Sequence, residues 1–210
     1  MLDTSTEASW SLKGFLNWAK DVDLKVIYDI GSHIGEFTKT AQQAFPNATY
    51  HLFEPNVVHN DWVKDLGQVH NLYLSNEVKQ AEFYSSNISS DSFYKEFTGI
   101  HENVKPLKVT TTALDGYVKE QGLEYPDLIK IDTQGAEIEI LEGAKECAKR
   151  AQFIILECPV VEYNRNGMLF NDYIAYMFSI GYVPRYLTEV HFLNGVICQL
   201  DVAFQNTNRG

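Results

Sequence analysis

Between residues 26 and 54 the chain reads VIYDI, then the turn GSHIG, then a helical stretch, then TYHLFE. No other feature of the sequence constrains the fold as strongly. Short runs of β-branched and aromatic residues read as strands, and the segment from about Glu36 to Phe45 has helical periodicity. Two strands joined through one such helix run parallel, which predicts a βαβ unit in a sheet covered on both faces. The alternation continues. The periodicity predicts a helix over about 57–66, strands near 72–74 and 81–84, and a strand at 107–114 leading into a helix that ends near Glu120. It then predicts a buried central strand at 127–132, a helix from Gly135 to Arg150 and a strand at 153–157. Phe170, Tyr173, Ile174, Met177 and Phe178 mark one more amphipathic helix, stopped at Gly181. The segments 182–190 and 196–204 flank Asn194-Gly195, a two-residue hairpin signal. Ahead of all this, residues 10–19 form a short amphipathic helix, with Leu12, Phe15, Leu16 and Ala19 on one face. The sum is an α/β fold with about five parallel strands, helices on both faces and an antiparallel pair at one edge. Residues 85–105, rich in Ser and Asn, read as a long loop with a weak helical piece at Ser92 to Phe97.

Charge and cysteine usage narrow the function classes. Of 210 residues, 28 are Asp or Glu and 17 Lys or Arg, a formal charge of -11. Such a field repels phosphate backbones and anionic lipid, and no basic run offsets it, so neither nucleic acid nor membrane is expected as a partner. Cys147, Cys158 and Cys198 are odd in number, far apart and without C-x-x-C spacing; they read as buried apolar residues in a reducing cytoplasm. No segment approaches the ~20 apolar residues of a membrane span, and no secretory signal opens the sequence.

Ligands of open parallel sheets bind beyond the carboxyl ends of the strands, so polar residues there carry the chemistry. Four strands end in acids: Asp29, Glu54, Asp132 and Glu157. Gly31 permits a sharp turn after Asp29, and Gly35 lets the next helix pack close, exposing backbone N–H groups to a ligand. The G-x-x-x-G spacing departs from the dinucleotide G-x-G-x-x-G pattern. Glu54, at the end of the second strand, stands where an acid accepts both hydroxyl hydrogens of a ribose, which implies an adenosine ligand. Asp29 suits a ligand carrying an amine and a sulfonium better than a diphosphate. Each feature alone also has a plain reading: turn glycines that serve packing, and a solvated strand-end Glu.

With those residues in view the chain resembles the FkbM-type S-adenosylmethionine-dependent methyltransferases. The matching stretches are YDIGSHIGEFT, LFEPN, LYLSN, TTALDGYV, DLIKIDTQGAEIEILEGA and QLDVAF, in the family's order across nearly all of residues 26–204. The resemblance implies a Rossmann-like class I methyltransferase fold over 26–210, with a mostly parallel seven-stranded sheet, its antiparallel final strand inserted, behind an N-terminal helical extension at 1–25. It implies that Asp29, Gly31, Ser32, His33 and Gly35 hold the methionine part of the cofactor and Glu54 the ribose. Pro55, Asn56, Leu74, Ser75 and Asn76 would surround adenine and ribose. His33 and Ser32 stand where the family often has Asn and Ala; His33 either donates to the cofactor carboxylate or is a turn residue satisfied by backbone.

Methyl transfer to a hydroxyl requires alignment, exclusion of water and removal of a proton. Asp132 is the first candidate for base or acceptor-positioning residue, and Glu157 the second; Asp132 also borders the cofactor. Lys130 reads as the partner of a neighbouring carboxylate, and Glu137 as a first-turn acid favoured by the helix dipole. A pair of acids can also bind a divalent metal, but no third ligand supports assigning one. Segments 85–94 and 162–170 are expected to wall the acceptor site, with a small molecule or carbohydrate as acceptor and S-adenosylhomocysteine as product. Two other readings stand beside this one: a cofactor-binding domain without turnover, and a nicotinamide-dependent oxidoreductase, against which the missing G-x-G-x-x-G counts.

Overall fold

The computed structural model describes residues 10–85, 91–94, 104–162 and 167–209. Seven strands form the main sheet: β1 (Val26–Ile30), β2 (Thr49–Phe53), β3 (Gln68–His70), β7 (Leu128–Ile131), β8 (Phe153–Pro159), β9 (Tyr182–Leu193) and β10 (Val196–Asn206), in the order β3-β2-β1-β7-β8-β10-β9. All pairings from β3 through β8 are parallel, and β10 runs antiparallel to both β8 and β9. A smaller sheet joins β4 (Tyr73–Ser75), β6 (Leu107–Ala113) and β5 (Gln80–Phe83), in that order.

Strand alternation sorts the core into two layers. Tyr28, Ile30, Ile129, Ile131, Ile154 and Leu156 point to one face, where they meet α4 (Leu114–Gln121), α5 (Glu137–Glu142), α6 (Lys145–Arg150) and α7 (Phe170–Ser179). Ile27, Leu128, Phe153 and Ile155 point to the other, against α1 (Leu12–Ala19) and α2 (Glu36–Ala44). The same parity places Asp29, Lys130 and Glu157 on the α1/α2 face, and Phe37 of α2 lies 5.9 Å from the Lys130 Nζ. The charged residues that interrupt these strands therefore share one side of the sheet.

The structure departs from the sequence expectations in four places. The helix expected over 57–66 is a 3-10 turn at Val57–His59 followed by a single helical turn, α3 (Asn60–Val63); paired β-branched valines after the Asn56 cap favour the short form. The third parallel strand is Gln68–His70, too short and polar to show a pattern, whereas the apolar run near 72–74 belongs to the smaller sheet. The helix expected from Gly135 to Arg150 is two helices. Gly143 lets the Ser75 carbonyl oxygen approach, where a Cβ would lie 2.3 Å from it, and the chain leaves helical geometry at Ala144 (φ -125°, ψ 32°). The second helix is capped from outside: Asp115 accepts from the Glu146 N–H at 2.8 Å and the Cys147 N–H at 3.0 Å. Of the helical piece expected at 92–97, Ser92 instead bridges Tyr84, and 95–97 lie outside the described residues.

The hairpin has Asn194 and Gly195 in the left-handed region, at φ 50° and 82°, as its turn requires. All three cysteines are free, Cys147 and Cys158 buried and Cys198 half-buried. No helix among the described residues is long and apolar enough to cross a membrane.

A buried polar chain underlies β2 and β3. The His51 Nδ1 and His70 Nε2 are 3.0 Å apart, and the His70 Nδ1 is 3.0 Å from the Tyr117 hydroxyl. Burial, with His51 adding to it, lowers His70 to about 4, and burial also lowers His51. Both imidazoles are neutral in the fold and take up protons more readily when unfolded. Their contribution is complete above the unfolded value near 6.5 and is lost as pH falls toward 4. Between pH 7 and pH 5 the unfolding free energy of the intact chain, from urea titrations, should fall by about 2 kcal/mol more than that of His70→Phe; equal slopes would remove this role.

Candidate active site

The carboxyl ends of β1, β2, β7 and β8 border a cavity of roughly 480 Å3, a size suited to a cofactor or drug-sized ligand. Its first wall is the turn after β1. Gly31 has φ +75°, and its N–H donates to the Phe53 carbonyl at 2.9 Å. A Cβ at Gly31 would lie 1.8 Å from the Asp132 carbonyl oxygen, so glycine alone lets the β1 and β7 loops touch. His33, at φ 47°, donates its backbone N–H to the Glu54 Oε2 at 2.8 Å. Gly35 (φ +77°) opens α2. Ser32 lines the cavity, and its buried Oγ has no hydrogen-bond partner among the described residues.

Glu54, 5% exposed, lies at the cavity's edge with Pro55. Its Oε1 accepts from the Asn56 N–H at 2.9 Å, and the His59 Nδ1 stands 3.5 Å from that oxygen. Two backbone donors fix the carboxylate and leave lone pairs for ligand hydroxyls. His59 meets the His33 ring edge-on at 4.5 Å. Leu72, Leu74, Phe83 and Phe93 supply an apolar wall beyond Glu54.

Asp29 lies beneath the turn instead of lining the cavity. It is 1% exposed, accepts from the Thr38 hydroxyl at 2.6 Å and pairs in register with Lys130. Its Oδ1 has no hydrogen-bond partner among the described residues, and burial raises its pKa against the opposing charge of Lys130. Asn56 is a strut: its side chain caps the following 3-10 turn and donates to Asp91 at 3.1 Å. Ser75 and Asn76, expected around the adenine, are placed outside the cavity, because Ser75 donates to Glu139 at 2.7 Å and Asn76 to Glu142 at 3.3 Å, fastening β4 to α5.

Beside the turn, at the end of β7, the Lys130 Nζ donates to the Asp132 Oδ2 at 2.7 Å. Gln134 bridges the two expected acids, donating to Asp132 at 3.2 Å and Glu157 at 2.7 Å. Burial pushes the Asp132 carboxyl up, but Lys130 and hydrogen bonds from Glu157 and Gln134 outweigh it and hold Asp132 well below the usual range. Burial, then the charge of Asp132, drive Glu157 well above its ordinary value. Glu157 is thus the member of the pair that keeps a proton.

Glu137 braces this loop. It is fully buried and accepts from the Thr133 N–H at 2.9 Å, the Gly135 N–H at 3.1 Å and the Tyr173 hydroxyl at 2.6 Å. Of the two expected acceptor walls, 86–90 and 163–166 lie outside the described residues; Asp91 and Phe93 line the cavity. Asp201, Glu189, His191 and Gln199 also line it and were absent from the sequence-based site. One signal for Asp201 was visible, a carboxylate in the middle of the apolar run VICQLDVAF. Among the described residues no group of three acids, histidines or cysteines is placed to hold a metal ion.

A seven-stranded sheet whose penultimate strand alone is reversed, with its cleft at the β1 and β2 ends, defines the class I methyltransferase fold. The domain described as the methyltransferase FkbM domain matches residues 29–184, and the chain belongs to this family of S-adenosylmethionine-dependent methyltransferases. It is 27% identical over 201 residues to the 2-O-methyltransferase NoeI of Sinorhizobium fredii (strain NBRC 101917 / NGR234), covering 87% of this chain and 79% of NoeI. The crystal structure of methyltransferase FkbM from Methylobacillus flagellatus KT shares the fold at a TM-score of 0.56 and 15% identity; the match covers 85% of this chain but only 43% of that protein. Magnesium protoporphyrin IX methyltransferase (ChlM) from Synechocystis PCC 6803, solved with bound SAM, shares it at a TM-score of 0.52 and 10% identity, over 93% of this chain and 78% of that one.

Proposed function

We propose that the chain transfers a methyl group from S-adenosylmethionine to a hydroxyl oxygen of a small molecule or carbohydrate. The observation that carries this is a single cavity lined by two chemically different sets of residues. The glycine turn, the buried Ser32 hydroxyl, Glu54 and the apolar wall at Leu72, Leu74, Phe83 and Phe93 match the parts of an adenosine-bearing amino acid. Lys130, Asp132, Glu157 and Asp201 form a polar set suited to aligning a hydroxyl. The 2-O-methyltransferase named above favours oxygen as the acceptor atom.

When bound, the sulfonium supplies an electrophilic methyl carbon. The chain's own residues bind, orient and exclude water around it. Glu54 accepts the ribose hydroxyls, while Ser32 and His33 face the methionine portion and Pro55 borders the ribose. Asp29 adds negative charge beneath the turn. Asp132, fixed by Lys130, Gln134 and the proton that Glu157 donates to it, orients the acceptor or the cofactor amine.

Glu54→Ala should weaken S-adenosylhomocysteine binding at least about tenfold, equivalent to ~1.4 kcal/mol, in isothermal titration. Unchanged affinity would remove Glu54 from the ribose site.

A further inference from the structure

Among the acids that line the cavity, Asp201 has so far been given no chemical step of its own. Asp201 sits mid-strand in β10, in register with Glu157 of β8 on one side and Glu189 of β9 on the other. Val202 and Phe204 point into the layer beneath α4 to α7, and Ala203 into the layer beneath α1 and α2. Asp201 therefore shares the face of Asp29, Lys130 and Glu157. It lines the cavity while only 8% exposed, and its Oδ1 has no hydrogen-bond partner among the described residues. A buried carboxylate oxygen without a donor is costly, and an acceptor hydroxyl supplies the missing donor.

We propose that Asp201 is the general base of the reaction, its Oδ1 accepting the hydrogen bond of the acceptor hydroxyl and then its proton. The assignment rests on the O-methylation reading above. As the acceptor oxygen bonds to the methyl carbon, the carbon–sulfur bond breaks and its electron pair stays on sulfur, neutralising the sulfonium. The O–H bond breaks in the same step, and the proton ends on the Asp201 carboxylate.

The neighbours support this choice over the other acids. Asp132 and Lys130 face Asp201 from the end of β7, Glu157 from β8 and Glu189 from β9, with Gln199 on its own strand. Burial first, then the charges of Asp132 and Glu189, push Asp201 up to about 7, against the opposing pull of Lys130 and Gln199. A base whose proton affinity lies near working pH is both ionised and strong enough to act. Asp132 is weakened as a base by Lys130, and Glu157 already holds its proton. The Glu189 side chain is 60% exposed, 3.5 Å from the His191 Nε2, and keeps its solvation.

The test combines Asp201→Asn and Asp201→Glu with three measurements. These are methyl transfer from tritiated S-adenosylmethionine to a panel of neutral methyl glycosides, S-adenosylhomocysteine titration calorimetry, and carbon-13 NMR of the aspartate carboxyls across pH. Asp201→Asn is expected to keep S-adenosylhomocysteine affinity within about twofold and to lose turnover at least about a hundredfold. In the intact chain turnover should rise with pH up to neutrality. Asp201→Glu should restore part of the rate on a displaced acid limb, which a merely structural role would not do. Turnover above a tenth of the intact rate in Asp201→Asn would overturn the assignment. If the intact chain methylates none of the glycosides, the sugar-acceptor reading fails separately and the NMR arm still decides. A carboxyl signal that titrates near neutrality and disappears in Asp201→Asn supports the base; one that titrates in the ordinary carboxylate range overturns it.

Discussion

Replacing Gly31 by alanine is expected to destabilise the chain by about 4 kcal/mol and to abolish S-adenosylhomocysteine binding. Two costs add. An alanine at φ +75° carries the left-handed penalty, on the order of 1 kcal/mol. Its Cβ would also stand 1.8 Å from the Asp132 carbonyl oxygen, and that neighbour is backbone that cannot rotate away. The β7 loop has to retreat, carrying Asp132 away from Glu54 and the turn. Gly122 separates the two costs, because its φ is +65° but a Cβ there meets nothing within 4 Å. Gly122→Ala should lose only about 1 kcal/mol and keep full affinity. For a chain of this size the melting temperature of Gly31→Ala should drop by about 10 °C. Equal losses in the two variants would show that the contact with Asp132 is unimportant.

Asp132→Asn is expected to cut turnover about a thousandfold while leaving a folded chain. The exchange removes the charge that pairs with Lys130 at 2.7 Å, inside a site where the lysine side chain is only 12% exposed. Losing a partner leaves that ammonium poorly compensated, but Asp29 and Asp201 also act on it, so the fold survives at a lower melting temperature. A second consequence distinguishes loss of charge from loss of shape. Asp132 is among the causes that raise both Glu157 and Asp201. In Asp132→Asn both carboxyls should therefore ionise at lower pH, and the acid limb of residual turnover should move the same way. Full activity would remove Asp132 from the site.

The sequence carried the frame of this molecule because its strands are long enough to show their burial. VIYDI, DLIKI and FIILE read as near-continuous apolar runs, and their structure is a central parallel layer covered on both faces. The acid at the end of β2 was legible for the same reason, since position relative to a strand end is a one-dimensional property. What escaped was set by contacts distant in sequence. Gln68–His70 becomes a strand only because β2 offers it an edge. The helix break after Gly143 lies where that glycine meets the Ser75 carbonyl and Asp115 caps the next helix. Ser75 and Asn76 turn to Glu139 and Glu142 because β4 joins the smaller sheet. Asp201 stood in plain view, but its place beside Glu157 follows from the reversed insertion of β10 between β8 and β9.

The proposed function requires this cavity to bind the adenosine-bearing cofactor of its family through the Gly31 turn and Glu54. Isothermal titration of the intact chain with S-adenosylhomocysteine, beside NAD and a buffer blank, tests it most directly. One site of micromolar affinity for S-adenosylhomocysteine, and none for NAD, is the predicted result; binding of NAD alone, or of neither ligand, would contradict it.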